Sequence, residues 1–439
     1  MCSELFRIPM EWAGVRLFGF GVLLLVWLVI GIVWLIRVGR RHHWKAETWS
    51  ILPLLGVVGL AIGMLPQLFP DGLPIRGYGT MVLAGSVLGL WMATLRARQV
   101  GIDPEVVMSL AFWMFIAGIV GARLFYVIEY WDSRFQFDSY WATLKEVLNF
   151  PQGGLVVYGA LIGATLAFGL FCIRHRLPPL ALADLIAPSL VAGLALGRIG
   201  CLLNGCCYGG MSPQPWAVTF PQDSLPYAEQ LHSGLLLGFQ VAQQRVPTTQ
   251  GESPEISDAG QISDAGLGPL IVTWVAPKSR ADEGGLEVGD QIVRIGEFRV
   301  QHEHQVQIGI LSAYQSLSPI EPLEIETGAG KTCRLKLAPL PSRSLPVHPT
   351  QLYSAIHAGL LSWFLWSYYP FRWRDGAVFA VLITVYPIAR FLLEIIRIDE
   401  SAVFGTGLSI SQNISLFLLA GAVGLWIHIL RTPPRISGV

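Results

Sequence analysis

Fourteen residues, GRIGCLLNGCCYGG at 197–210, gather an arginine, an asparagine, three cysteines and five glycines at the end of an apolar run. Three more stretches put charge where the chain is otherwise apolar: RGYGTM (76–81), GARLFYV (121–127) and YPIARFLLEIIR (386–397). A charged side chain among lipid tails costs several kcal/mol, roughly 3 or more, so each marks a functional site or a structural ion pair. Arg390 and Glu394 are four apart, on one helical face, and can pair. Arg123 has Glu129 near it for the same purpose. Arg198 has no carboxylate within a helical turn, so its partner is another segment or a bound anion. Guanidinium meets phosphate with paired donors better than an ammonium does. Glycines at 197, 200, 205, 209 and 210 allow backbone or ligand to come close. The chemistry these residues suit is the binding of an anionic ligand, above all a phospholipid headgroup, at the membrane.

The elements that must position them are membrane spans. Of 439 residues, 53% are hydrophobic and only 14% charged, with 15 Trp, against roughly 25% charged in a soluble domain; the mean hydropathy is +0.52. A formal net charge of zero removes any electrostatic case for nucleic acid. Nine apolar runs are expected to span, near 15–36, 50–69, 78–95, 106–128, 155–173, 183–203, 351–369, 377–397 and 408–430. The first is too long for a signal-peptide core and reads as a retained span. Basic residues fall in alternate loops: Arg37, Arg40, Arg41 and Lys45; Arg96 and Arg98; Arg174 and Arg176; Arg372 and Arg374; then Arg431 and Arg435 in the tail. The positive-inside rule therefore puts the C-terminus in the cytoplasm, and the N-terminus and the long 204–350 segment outside. His42 and His43, in a basic loop, read as contacts to anionic lipid. Asp103 before Pro104 and Glu105 reads as a helix cap.

Within the long segment, 241–265 (VAQQRVPTTQGESPEISDAGQISDA) reads as a flexible linker. Residues 266–341 alternate apolar positions with Gly-Asp turns, the pattern of a small β-rich domain. That stretch resembles a PDZ domain, with GLGP (266–269) similar to its carboxylate-binding loop and GGLEVGDQIVRIG (284–296) to its helix-then-strand segment. The resemblance implies binding of extended peptides or their C-termini by strand addition.

Seven motifs in order carry a second resemblance: PIRGYG (74–79), GARLFY (121–126), GGLVVYGALIGA (153–164), ADLIAP (183–188), GRIGCLLNGCCYG (197–209), HPTQLY (348–353) and ARFLLEIIR (389–397). Together they are similar to the prolipoprotein diacylglyceryl transferase family over about 74–430, apart from the insertion. The resemblance implies an enzyme that moves a diacylglyceryl group from phosphatidylglycerol to the lipobox cysteine thiol of a prolipoprotein signal peptide, without a cofactor or a metal. It implies catalytic roles for Arg198, Arg390, Tyr78 and Tyr158, with Gly209, Asn204, Cys201, Arg123, Glu394 and Gly159 at the substrate. His348, opening HPTQLY, is expected to organise the start of a span. Three positions depart from the family pattern: Tyr158 stands for a histidine, Cys201 for an asparagine and Cys206 for an acidic residue. A tyrosine, with a pKa near 10, is a poor base at neutral pH. The departures touch the proton-accepting step, while the arginine pair is retained.

The expected architecture is mainly α: a polytopic transmembrane helix bundle of about nine spans, seven of them family-like, with an extracytoplasmic β-rich PDZ-like insertion. Residues 1–73 hold two extra spans, 74–240 and 342–430 the two parts of the membrane domain, and 431–439 a cytoplasmic tail. The location implied is the bacterial inner membrane. A non-catalytic lipid-binding adaptor working through the PDZ-like domain is the competing reading. An intramembrane metalloprotease is disfavoured because no HExxH motif occurs. Six cysteines (Cys2, Cys172, Cys201, Cys206, Cys207 and Cys333) are too scattered for a disulfide framework. Cys201, Cys206 and Cys207 are open to four readings: packing beside a ligand, a loop-fixing disulfide, a metal site despite matching no zinc spacing, or thiol chemistry.

Overall fold

The computed structural model describes residues 4–12, 14–41, 56, 58–60, 62–67, 69–135, 139–149, 153–245, 267–316, 322–336, 339–397, 402–403 and 406–432. The chain divides into a unit of residues 2–83 and one of residues 84–439. In the first, strand Glu4–Ile8 pairs antiparallel with Leu73–Arg76. The segment expected to begin a span at 15 opens instead as a hairpin, Glu11–Trp12 with Val15–Arg16, and helix α1 (Val22–Arg41) follows. Arg16 explains the shift, since its Nε is 3.0 Å from Glu11 Oε1 in an exposed ion pair. Much of the span expected at 50–69 lies outside the described residues. The boundary between the units falls inside helix α2 (Gly77–Gln99).

The second unit holds the rest of α2, then α3 (Pro104–Glu129), α4 (Val157–His175) and α5 (Pro179–Asn204). After the long insertion come α6 (Thr350–Tyr368), α7 (Ala377–Ile396) and α8 (Ile410–Arg431). Among the described residues, six helices are long and apolar enough to cross a membrane: α2, α3, α4, α5, α7 and α8. Helix α6, expected as a span, has the length at 19 residues but carries Thr350, Gln351, Ser354 and His357. Asp103 caps α3 as its sequence suggests, accepting from Glu105 N at 2.9 Å, with Pro104 at the first helical position.

Helix α5 is the axis, with more than half of its apolar window buried. Leu182, Leu185 and Val191 pack with Leu361 and Leu365 of α6 and Val378 of α7. Small residues bring helices close where lipid supplies no hydrophobic drive. A methyl added at Gly121 would lie 2.4 Å from Gly159 O, and one at Gly163 2.2 Å from Ala117 O, so α3 and α4 touch through their backbones.

The insertion is β-rich around its own core. Strand β1 (Phe239–Arg245) pairs antiparallel with β2 (Leu267–Val275). Strands β3 (Ile292–Ile295), β4 (Phe298–Arg299), β5 (Leu323–Thr327) and β6 (Thr332–Leu335) form a sheet ordered β6-β5-β3-β4. Phe239, Val272, Ile295, Val306, Ile310 and Ile325 are buried in one cluster, the water-driven burial that the bundle lacks. Two sequence expectations change here. Residues 241–245, read as the start of a linker, are strand, and the remainder of that stretch to 265 lies outside the described residues. GLGP, read as a loop, runs into β2: Leu267 is opposite Arg245, and Gln243 Nε2 donates to Gly268 O at 3.2 Å. The polar residues of VAQQR hid a strand in which Phe239 and Val241 are buried.

Asp184 fixes how α7 docks. It is fully buried, and its two carboxylate oxygens accept from Gly376 N and Phe379 N at 2.8 Å each. Gly376, the N-cap of α7, has no side chain to satisfy those first-turn amides, so α5 supplies the cap from outside. Replacing Asp184 by Ala strands two buried donors and should cost about 2 kcal/mol or more. Thermal unfolding in detergent should show a lowered midpoint, with Asp184→Asn, which keeps one acceptor, falling between.

Candidate active site

Helix α5 ends where the cysteine-rich stretch begins. Gly205 takes φ +74° and caps it, and Cys206 N donates back to Cys201 O at 3.1 Å. Cys207 follows at φ +60°, a left-handed conformation that costs a side-chain-bearing residue roughly 1–2 kcal/mol. The surroundings hold it there. Thr350 Oγ1 donates to Cys207 O at 2.6 Å, and Gln351 Nε2 donates to Cys206 O at 2.7 Å. Tyr208 is buried and its hydroxyl donates to Glu229.

Gly209 then threads between two other segments. Its N–H donates to His348 O at 2.9 Å, while Gly210 N donates to Ile396 O at 3.1 Å and His348 N to Gly210 O at 2.9 Å. A methyl at 209 would stand 2.8 Å from His348 Cβ and 2.9 Å from Thr350 Cγ2. The glycine is thus required by the crossing of three chain segments. HPTQLY performs the organising role expected of it through the His348 backbone, Thr350 and Gln351.

Polar side chains continue from this knot as an arc. Arg198 is partly buried, with the Tyr386 hydroxyl, Cys201 and Cys207 as polar neighbours. Among the described residues, no carboxylate forms an ion pair with it. Cys207, beyond the end of α5, is held below the usual thiol range. The neighbouring Cys201 and Cys206 thiols are the main cause, burial opposes them, and the nearby Arg397 and Arg198 guanidiniums add to the lowering. Arg397 Nη1 is 3.6 Å from Glu394 Oε2. Glu394, 3% exposed in its side chain, is also paired with Arg390, as the i,i+4 spacing predicts. Arg390 Nη2 donates to Ser411 Oγ at 2.7 Å. Ser411 Oγ lies 3.5 Å from Tyr158 OH.

One end of the bundle therefore gathers Tyr158 from α4, Arg198 and Cys201 from α5, Gly209 from the loop, Arg390 and Glu394 from α7, and Ser411 from α8. Asn204 is the exposed last residue of α5 beside them. Arg390 and Arg397, both partly buried, contact Glu394, and guanidiniums gathered with Arg198 at one end of the bundle suit a phosphate.

Other predicted residues do different work. Arg123 is buried, but its guanidinium serves the chain: Nε donates to Val147 O at 2.9 Å, Nη2 to Glu146 O at 2.6 Å, and Nη1 to Gly153 O at 2.8 Å and Gly154 O at 3.2 Å. It fixes the approach to α4, and hence to Tyr158, where a substrate contact was expected. Gly159, also expected at substrate, faces α3: a methyl there would meet Gly121 O at 2.3 Å and Phe125 Cβ at 2.5 Å. Tyr78 is in the first turn of α2, within the 2–83 unit, and 45% exposed. Sequence reasoning passed over Asp184, Tyr386, Arg397 and Ser411; the capping box of Ser409 and Gln412 marks the turn that presents Ser411.

A family model described as prolipoprotein diacylglyceryl transferase matches residues 66–256 and 285–428. A phosphatidylglycerol–prolipoprotein diacylglyceryl transferase of Rhodopirellula baltica is 32% identical over 96% of this chain and 88% of its own length. Relatives of the same name from Clostridium perfringens (designated 2) and Synechococcus elongatus are 30% and 35% identical, over 56% and 36% of this chain and 87% and 52% of their own lengths.

Gly209→Ala should force apart the strands it joins, at a cost of about 1–3 kcal/mol. Hydrogen exchange should speed up at the amides of Gly209, Gly210 and His348 ahead of the bundle helices. Unchanged protection at those three amides would contradict the crossing as described.

Proposed function

Because the chain belongs to the prolipoprotein diacylglyceryl transferase family, we propose that Arg198 and Arg390 hold the phosphate of its phosphatidylglycerol substrate at the end of α5. The protein is a multi-pass membrane enzyme of lipoprotein maturation, moving a diacylglyceryl group from phosphatidylglycerol to prolipoproteins. The observation that carries the site assignment is the arc itself. Among the described residues no carboxylate pairs with Arg198, while Arg390 is oriented by Glu394 and Ser411.

In the reaction the lipobox sulfur attacks the glyceryl methylene carbon. A carbon–sulfur bond forms, the carbon–oxygen bond to phosphate breaks, and its electron pair leaves on glycerol phosphate. Preorganised guanidiniums stabilise charge growing on that oxygen. The thiol proton must leave, and the new phosphate monoester, whose conjugate acid has a second pKa near 6, can take it within the site and release it to water at neutral pH. Tyr158 serves as a relay, accepting from the thiol as it donates toward the departing oxygen, so its phenol need not ionise. Ser411, bonded to Arg390 and close to Tyr158 OH, aligns the two. Tyr78 is assigned to the substrate from its place in the family motif, as are Gly209, Asn204 and Cys201; Glu394 acts by fixing Arg390.

The alternating basic loops support an inner-membrane topology with the N-terminus and β-rich unit outside and the C-terminus in the cytoplasm. On that side the β-rich unit would meet exported chains, which we assign to it as extended-peptide ligands. Signal peptides of prolipoproteins are the second substrate.

The test is transfer to a fluorescent lipobox peptide in phosphatidylglycerol micelles. Arg198→Ala and Arg390→Ala should each lower kcat about 10²–10³-fold, and Tyr158→Phe about 10²-fold. Lysine at 198 should restore part of the loss, since charge returns without the fork. Lipid binding without transfer by the wild-type protein would favour a non-catalytic adaptor.

A further inference from the structure

Three thiols meet beside the arginines. Cys201, Cys206 and Cys207 come from the last turn of α5 and the loop after it, and their sulfurs all lie within 4.8 Å of one another. All three are unbridged and partly buried. Their spacing in sequence, C-x₄-C-C, matches no ordinary zinc pattern. The fold closes it nonetheless, because two successive reversals of φ, at Gly205 and Cys207, turn the chain back over the helix end. The carbonyls of Cys206 and Cys207 are fixed by Gln351 and Thr350, so the cluster stands on a braced loop. The left-handed Cys207 is a second sign. A glycine would take that conformation without cost, whereas the strained residue present contributes the third sulfur.

We propose that Cys201, Cys206 and Cys207 form a three-thiolate site for a soft d¹⁰ cation, Cu⁺ by preference and Zn²⁺ in competition. Sulfurs around one ion at roughly 2.3 Å stand about 4 Å apart in a trigonal set, which these reach by shifts under an ångström. Thiolates select soft cations. Among the described residues, no histidine or carboxylate joins the group as a fourth ligand. That favours Cu⁺, which three thiolates satisfy, over Zn²⁺, whose structural sites take four ligands. Three thiolates with one Cu⁺ carry a charge of −2, which the guanidiniums of Arg198 and Arg397 near Cys207 offset in part. The assignment rests on the geometry of the cluster, which shares Cys201 and Arg198 with the proposed substrate site.

The test uses the purified full chain in detergent, kept anaerobic, and titrated with Cu⁺ and separately with Zn²⁺ against chromophoric chelators. One Cu⁺ per chain is expected, with affinity falling at least 100-fold in Cys201→Ser, Cys206→Ser or Cys207→Ser and unchanged in Cys172→Ser. Because a serine variant could also disturb the loop, the wild-type protein supplies a second reading. Bound Cu⁺ should protect these three thiols, mapped by peptide mass, from alkylation. Binding of Zn²⁺ alone, with the same protection, would keep the site and change its occupant. Retention of neither ion would overturn the site. So would isolation of the native protein with two of the three sulfurs joined, two hydrogens lighter.

Discussion

Each guanidinium taken into a membrane bundle brings five N–H donors that lipid cannot satisfy. The arrangement of this fold follows from how it meets that demand. Arg96 gives Nη2 to Trp366 O at 2.7 Å and lies over the Trp366 ring, tying α2 to α6. Arg123 gathers four carbonyls and shapes the chain before α4. In both, backbone carbonyls accept from the guanidinium, one for Arg96 and four for Arg123. Arg390 is answered in part by Glu394 and Ser411, and Arg198 by no carboxylate among the described residues. The arginines thus differ in what meets them: backbone carbonyls for Arg96 and Arg123, side chains for Arg390 and Arg198.

Positioning the second kind requires helices that neither slide nor rotate. Asp184 grips the first turn of α7 from α5, and the 205–210 loop grips its last turn through Gly210 and Ile396. Arg390 and Glu394 lie between these two holds, on a helix pinned at both ends. Pro387 removes one internal hydrogen bond from the same helix, so the external holds maintain its course toward the arc.

Much of this was legible in residue order. Apolar runs located α2 to α8 to within a few positions, the Asp103–Pro104 signal fixed one start, and the spacing of Arg390 and Glu394 predicted their pair. What escaped notice had long-range or backbone partners. Asp184 caps amides 192 residues ahead, and no local pattern announces such a bond. Arg123 was read against Glu129 because side chains are visible in a sequence and carbonyls are not. Gly159, set four before Gly163, had the small-residue spacing of a helix contact, but its place in a functional motif drew it toward the substrate. Cys201, Cys206 and Cys207 left four readings open because their meeting depends on a left-handed residue no propensity favours.

The β-rich insertion leaves the bundle after α5 and returns before α6, yet its two ends are sewn together at the root. Val218 and Val347 exchange backbone hydrogen bonds at 3.0 Å, Ser344 N donates to Phe220 O at 2.8 Å, and Arg343 reaches Thr219. The membrane helices thus meet a closed neck whose geometry does not register how long the excursion beyond it is. Loop closure costs grow only with the logarithm of length, and here closure is enforced locally. The neck makes the β-rich body beyond it exchangeable in geometry, so the same helices can be joined by a long appendage or a short turn.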